Sequence, residues 1–235
     1  MEFKWQNYNW RVGQLWGNYH PNFLLSWYSP DAVAQSIENN ILKLNIINKA
    51  KIINMKTESG NSKIIPYGVG LVSCTEEFGY GTFEWNAQLP KGKNIVAALW
   101  LASNQSWPPE IDCVEAFTNN KGSYNRGLCS RKIQPNIHYS DDNKTHQQKG
   151  AVNTCRFLFD INKAIDYKIN FFPDIIEVFY NGKSVMKETR DCILKDFKDI
   201  KMFPIMNINV MEGFQKKDLD YVTTFNINSF TYIPY

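Results

Sequence analysis

The chain reads as an all-β protein, a two-sheet antiparallel sandwich. Three observations predict this: many short apolar or alternating runs, frequent turn signals between them, and little that repeats at helical spacing. Its 235 residues, 43% of them hydrophobic, suit one large β domain. Residues 1–235 form a single predicted domain, because no internal repeat or low-complexity linker divides them.

Residues 1–30, crowded with aromatics and turn formers, predict a first strand and loops crossing one edge of the sandwich. Over 40–53, Leu42, Leu44 and Ile46 alternate with Lys43, Asn45 and Ile47, the period of a half-buried strand. A polar turn follows at 57–62, then strands at 69–73 and 79–89. In the second of these, Phe83, Trp85 and Ala87 alternate with Glu84, Asn86 and Gln88. That polar face either lines a wet cleft, making Glu84 and Asn86 candidate substrate contacts, or is a solvated sheet face. Ile95–Ala102 is nearly continuous apolar sequence and predicts a central strand buried on both faces, carrying Trp100. Residues 119–154 turn polar, predicting loops around a strand that holds His138 and walls one side of a cleft. Asn181-Gly182 predicts a two-residue type I′ hairpin between arms at Ile175–Tyr180 and 183–186. One short helix is expected within 189–200, and strands at 202–211 and 221–232 close the sheets.

The run Trp107-Pro108-Pro109-Glu110-Ile111-Asp112-Cys113-Val114-Glu115 places three carboxylates within six residues of sequence that otherwise reads as buried strand. A half-buried carboxylate costs several kcal/mol unless it is paired, hydrogen-bonded or protonated. Three together point to a site where proton affinities are pushed apart, and glycoside hydrolysis needs that arrangement. A retaining mechanism requires one ionised and one protonated carboxyl roughly 5 to 5.5 Å apart. A regular strand would turn Glu115 away from Glu110 and Asp112; a bulge near Cys113 and Val114 restores it to their face.

On these residues the chain resembles glycoside hydrolase family 16, in the laminarinase and agarase-like branch with the bulged Glu-x-Asp-x-x-Glu motif. The resemblance extends through Tyr80-Gly81-Thr82-Phe83-Glu84, Leu89-Pro90, Ala98-Leu99-Trp100-Leu101, Trp107-Pro108, His138-Tyr139, the 167–185 hairpin and Pro204-Ile205-Met206-Asn207-Ile208. It implies a concanavalin-like β-jelly roll with a concave substrate cleft. It also implies Glu110 as nucleophile, Glu115 as general acid and base, and Asp112 as the group that orients and tunes the pair. Trp100 and Trp107 are expected to stack sugars, Asn207 to hydrogen-bond nearby, and His138 to tune the acid glutamate. Two departures stand out: Pro109 occupies the place of a usual Gly, and Asn86 that of a usual Arg.

The implied activity is endo-hydrolysis of internal β-linkages of a polysaccharide, with β-1,3-glucan ahead of galactans such as agar, carrageenan or mucin-type chains. A non-catalytic carbohydrate-binding module on the same scaffold is the rival from another class, but a binder has no need of all three carboxylates. Seven tryptophans among 14% aromatic residues suit both a core and sugar stacking.

A net charge of +3 with no basic stripe argues against nucleic acid, and no apolar run approaches a membrane span. The expected partner is a polysaccharide or oligosaccharide substrate, and the expected state is a monomer. No cofactor is required; a structural calcium is implied by the resemblance, without identifiable ligands. Met1 to Trp10 lacks the pattern of a secretory signal, while the implied chemistry places the protein outside the cell, at its surface or in the periplasm. Cys74, Cys113, Cys129, Cys155 and Cys192 are odd in number and scattered, so neither a complete disulfide framework nor zinc spacing is present, and most are expected as buried thiols.

Overall fold

The computed structural model describes residues 1–54, 62–118, 133–142, 144–150, 163–220 and 224–235. Within them the first ten strands are β1 (Glu2–Trp5), β2 (Tyr8–Val12), β3 (Ser26–Tyr28), β4 (Gln35–Glu38), β5 (Ile41–Leu44), β6 (Ile46–Ile47), β7 (Lys51–Asn54), β8 (Ser62–Ile65), β9 (Tyr67–Val69) and β10 (Leu71–Cys74). Then come β11 (Gly81–Gln88), β12 (Ile95–Ala102), β13 (Glu110–Phe117), β14 (Ile133–Ser140), β15 (His146–Gly150), β16 (Ile165–Phe172), β17 (Ile175–Tyr180), β18 (Lys183–Glu188), β19 (Phe203–Val210) and β20 (Phe225–Pro234).

Two sheets face each other. The first runs β1-β2-β10-β19-β12-β13-β14-β15 and the second β18-β17-β16-β11-β20-β5-β4. Every pairing within these two sheets is antiparallel. The alternation read from sequence puts Phe83, Trp85 and Ala87 of β11 into the space between the sheets, against Leu99 and Leu101 of β12, Ile111 and Val114 of β13 and Ile169 and Phe171 of β16. Fully burying such side chains contributes about 1.5 to 3 kcal/mol each, which locks the register of both sheets.

β12 coincides with the predicted Ile95–Ala102 run and lies in the interior of its sheet, between β13 and β19. Asn181 and Gly182 both take positive φ, 46° and 74°, as the type I′ turn requires. Two further tight turns use Gln6-Asn7 and Asn39-Asn40, all four residues with positive φ, and make β1–β2 and β4–β5 hairpins where sequence predicted one strand with loops, or no strand start before residue 40. The expected helix within 189–200 shrinks to Asp191–Leu194 plus a 3-10 turn at Lys195–Phe197. The closing strand runs Phe225–Pro234; residues 221–223 at its predicted start, 57–61 of the predicted 57–62 turn and much of the 119–154 segment lie outside the described residues. Cys74 and Cys113 are buried free thiols as expected, whereas Cys192 is exposed; Cys129 and Cys155 are outside the described residues. No helix among the described residues is long and apolar enough to cross a membrane.

One ion-pair cluster joins the sheet edges. Lys149 of β15 reaches Glu188 of β18 at 2.6 Å, and Arg190 adds a second cation at 2.8 Å. Burial alone would raise the Glu188 carboxyl, but hydrogen bonds from Arg190 and Lys149 overcome it and hold the group down at about 2. This clasp fixes β15, the edge strand beside the candidate site.

Candidate active site

β13 starts immediately after Pro109, where a missing N–H costs no ladder bond. Its pairing with β14 matches Glu110 to His138 and Asp112 to Asn136, then resumes at Glu115 opposite Gln134. Two residues, Cys113 and Val114, therefore face the single residue Pro135. On the other side, Val114 pairs with Leu99 and Asp112 with Trp100, leaving Cys113 without a partner on β12. This is the bulge expected from sequence, and it sits opposite a proline that has no N–H to offer. The freed Cys113 carbonyl accepts a 2.8 Å hydrogen bond from the Tyr180 hydroxyl of the opposite sheet, through the core.

The bulge returns Glu115 to the face of Glu110 and Asp112, the outer face of the eight-stranded sheet. Register across that face is then defined. Gln134, Glu115, Ala98 and Asn207 form one row, Asn136, Asp112, Trp100 and Ile205 the next, and His138, Glu110, Ala102 and Phe203 the third.

All three carboxyls are desolvated. Burial, then the neighbouring Asp112 charge, push the Glu110 carboxyl up to about 8, while His138 and the Trp107 N–H pull the other way. Burial and then the Glu115 charge raise Asp112 well above the ordinary carboxylate range. Burial raises Glu115 too, opposed by His138 and by hydrogen bonds from Gln134 and Asn136. Three such groups titrate as one set that retains protons near neutrality.

The surrounding contacts orient this set. Trp107 is 58% exposed, and its Nε1–H donates to Glu110 Oε2 at 2.9 Å. His138 Nε2 lies 3.2 Å from Asp112 Oδ2 and 3.5 Å from Glu110 Oε1. Trp100 donates its Nε1–H to Asn207 Oδ1 at 2.8 Å, so this amide oxygen holds the indole. The half-exposed Trp16 packs edge-on against Trp100, with centroids 6.3 Å apart. At the Glu110 end an open depression of about 350 Å³ is lined by Pro108, Pro109, Ser140, Asp142 and Lys195, among others.

The structure thus brings together Glu110, Asp112, Glu115, Trp100, Trp107, His138 and Asn207. It does not bring Glu84 and Asn86 to them. Those side chains point away from the core on β11, in the opposite sheet, so the whole sandwich separates them from the carboxyls. Alternation identified their polar face correctly but could not say which sheet owned it. His138, expected to tune the acid glutamate, lies directly across from Glu110 with its Nε2 3.2 Å from Asp112, and its charge opposes the burial that raises Glu115. Sequence reading missed Gln134, Asn136 and His146. The first two were signalled by the alternation of Gln134, Asn136 and His138 with Ile133, Pro135 and Ile137.

Glu110, Asp112 and His138 present ligand atoms within 4.8 Å of one another. Calcium takes six to eight oxygens, and two carboxylates with an imidazole nitrogen do not fit that ion. No calcium site is assigned on these side chains.

A two-sheet antiparallel sandwich whose outer face gathers three desolvated carboxyls on one bulged strand defines a glycoside hydrolase. The family model for glycosyl hydrolases family 16 matches residues 30–216, and the chain belongs to that family. It is similar to the endo-1,3-1,4-beta-glycanase ExsH of Rhizobium meliloti (strain 1021), with 21% identity over 218 residues that span 86% of this chain and 42% of that protein. The chain therefore covers less than half the length of this curated relative. Among solved structures, one from work on endo-acting O-glycanases with which human gut bacteria initiate mucin breakdown superposes with a TM-score of 0.76 at 20% identity, covering 99% of this chain and 86% of that one. LamAcat from Zobellia galactanivorans gives 0.70 at 18% identity, covering 96% and 90%.

Proposed function

We propose that this domain cleaves internal β-linkages of a polysaccharide with retention of configuration. The observation that carries the reading is the Cys113–Val114 bulge, which sets Glu110, Asp112 and Glu115 on one desolvated face. In the first step a Glu110 carboxylate oxygen attacks the anomeric carbon while the Glu115 proton passes to the departing glycosidic oxygen. A glycosyl ester on Glu110 results. In the second, Glu115 takes a proton from water as the water oxygen attacks the same carbon, releasing Glu110. Asp112 keeps the shared proton close to Glu110, and the Trp107 N–H and His138 favour the ionised form that attacks. Trp100 and Trp107 stack the sugars on either side of the cleaved bond. An acceptor sugar in place of water would give transglycosylation.

The substrate class put forward is a β-1,3-linked glucan, supported by the names of the family relatives. A second reading, a galactose-containing O-glycan, is favoured by the 99% coverage of this chain in the O-glycanase superposition. A secreted or surface-exposed location accords with either polymer. Incubation with laminarin, mixed-linkage glucan, agarose, carrageenan, porphyran and mucin glycans, with products resolved by mass and the first-formed anomer by NMR, tests this. Products of defined size from one polymer, with the anomer retained and with none from Glu110→Gln, are expected. Inverted product would overturn the double displacement, and binding without any cleavage would make the domain a carbohydrate-binding module.

A further inference from the structure

The seven tryptophans divide sharply by burial. Trp5, Trp10, Trp27 and Trp85 are buried, none more than 4% exposed. The other three, Trp16, Trp100 and Trp107, gather at the carboxyl face of the eight-stranded sheet. Trp100 and Trp107 already have roles in the proposed reaction, and Trp16 has none.

Trp16 sits at the tip of the turn between β2 and β3, where Gln14 and Gly17 bridge and leave Leu15 and Trp16 half in solvent. The turn is tied down on both sides. Gly13 N–H donates to Leu71 O at 2.8 Å, Ser73 Oγ donates to Gly13 O at 2.6 Å, and Tyr28 N–H donates to Asn18 O at 2.7 Å. From this anchor the Trp16 ring reaches Phe203 at 6.2 Å and Trp100 at 6.3 Å, centre to centre. Phe203 shares the row of Glu110, separated from it by Ala102. Two strand spacings, about 10 Å or roughly two linked pyranoses, thus separate Glu110 from the ring on which Trp16 rests.

The Trp16 indole is free in two respects. Its neighbours meet it edge-on or tilted, at 62° and 59°, so no ring stacks on its faces among the described residues. Trp5, Trp10, Trp27, Trp100 and Trp107 each donate their Nε1–H to a protein oxygen. Trp16 has no such acceptor among the described residues, and unlike the sealed Trp85 it is open to solvent. An exposed indole face with a free N–H suits the apolar C–H face and hydroxyl edge of a sugar.

We propose that Trp16 is a specificity-determining residue for the hydrolysis proposed above, on which this role depends: it holds a sugar about two units from the cleaved bond and selects chains that turn between units. The selection comes from the angle. Trp16 is inclined by 62° to Trp100, so sugars stacked on the two indoles face different directions. A β-1,3-linked chain turns from one unit to the next and can satisfy both rings. A β-1,4-linked chain is a flat ribbon whose rings stay nearly parallel, and it can satisfy only one. Trp16 precedes residues 30–216, so no motif within the matched family span specifies it.

The test measures binding with turnover removed, by titration calorimetry of Glu110→Gln against laminari-oligosaccharides and cello-oligosaccharides of increasing length. Into that background are placed Trp16→Leu, which keeps an apolar side chain against Trp100 and Phe203 without a flat face, and Trp16→Phe, which keeps the face. Affinity for the longest laminari-oligosaccharides should fall about three- to tenfold in Trp16→Leu, the scale of one ring-stacking contact, and far less for the shortest. Trp16→Phe should recover most of the loss. Cello-oligosaccharides should bind more weakly and respond little to either change. With Glu110 restored, Trp16→Leu should raise KM on polymer rather than lower kcat, and should move the preferred bond within an end-labelled oligosaccharide. Equal losses at every length, or equal losses in the two variants, would reduce Trp16 to packing behind Trp100 and overturn the proposal. A matching loss with cello-oligosaccharides, or no binding of the laminari series, would overturn it as well. Failure of every polymer to be cleaved would overturn the hydrolase reading instead, and the calorimetry would still decide the role of Trp16.

Discussion

Each of the two large sheets turns one face away from the core, and each of those faces carries acidic side chains, yet they manage charge in opposite ways. On the second sheet Glu84 stands directly opposite Lys168 and Asn86 opposite Asp166, with the Asn86 amide donating to the Asp166 carboxylate at 2.6 Å. Charge is compensated strand by strand around an open polar depression of about 330 Å³. On the first sheet three carboxyls share one strand, and their cross-strand neighbours on β12 are Ala98, Trp100 and Ala102. His138 is the basic side chain in ion-pair range of them among the described residues. Accumulated like charge with little counter-charge is what drives proton affinities up, and it marks the reactive face where polarity alone does not.

Glu110→Gln has the largest expected effect on the reactive face. Turnover should disappear, as measured by released oligosaccharide. Stability should move the other way. The folded carboxyl holds its proton up to about 8, against about 4.3 in the unfolded chain. The folded state therefore carries an extra proton between those values, and stability falls as pH rises through that window. Removing the charge should raise stability at pH 8 by about 1 to 4 kcal/mol, read from melting at pH 8 against pH 4. A variant that melts lower at pH 8 than the parent would show that the carboxyl is not strained by its burial.

Glu115→Gln should slow cleavage by about 10²- to 10⁴-fold, most for poor leaving groups, the usual contribution of a positioned acid. Comparing activated aryl glycosides with polymer checks it; an equal loss on both would remove Glu115 from the acid role.

Tyr180→Phe tests whether the bulge is held from the other sheet. It strands the buried Cys113 carbonyl and should cost about 1 to 3 kcal/mol of unfolding free energy. It should also lower kcat more than it changes KM, because Glu115 is aimed by that bulge. Denaturant unfolding with parallel kinetics separates the two effects.

Trp107→Phe retains a ring but deletes the N–H that favours ionised Glu110. The acid limb of kcat/KM should shift upward by about half a pH unit to one unit, equivalent to about 1 kcal/mol. A pH–rate profile that did not move would separate Trp107 from the carboxyl set. Smallest of all, Glu84→Gln should leave kcat and KM within about twofold and stability within about 0.5 kcal/mol, as for an ordinary surface change. A large loss of activity there would make the second face part of the binding surface after all.

Most of the fold was legible because its signals are local. Period-two alternation in β11, the apolar run of β12 and the Asn181-Gly182 turn are properties of neighbouring residues, and each appears where the chain predicts it. The Gln6-Asn7 and Asn39-Asn40 hairpins were not legible, since these dipeptides lack the glycine that makes such a turn conspicuous. The carboxyl motif was legible down to its bulge, because Glu115 could not otherwise join Glu110 and Asp112.

Local sequence signals specify an all-β sandwich and one strand carrying three carboxyls in a spacing that demands an irregularity. Long-range packing sets which sheet owns each polar face, brings Pro135 and Tyr180 to the bulge from two directions, and places His146 beside His138. The physical reason is the range of the interactions. Alternation and turn preference act over a few residues, whereas register between β13 and β14, and contact between β13 and β17, join positions about 20 to 70 residues apart that meet only when both sheets close on one core.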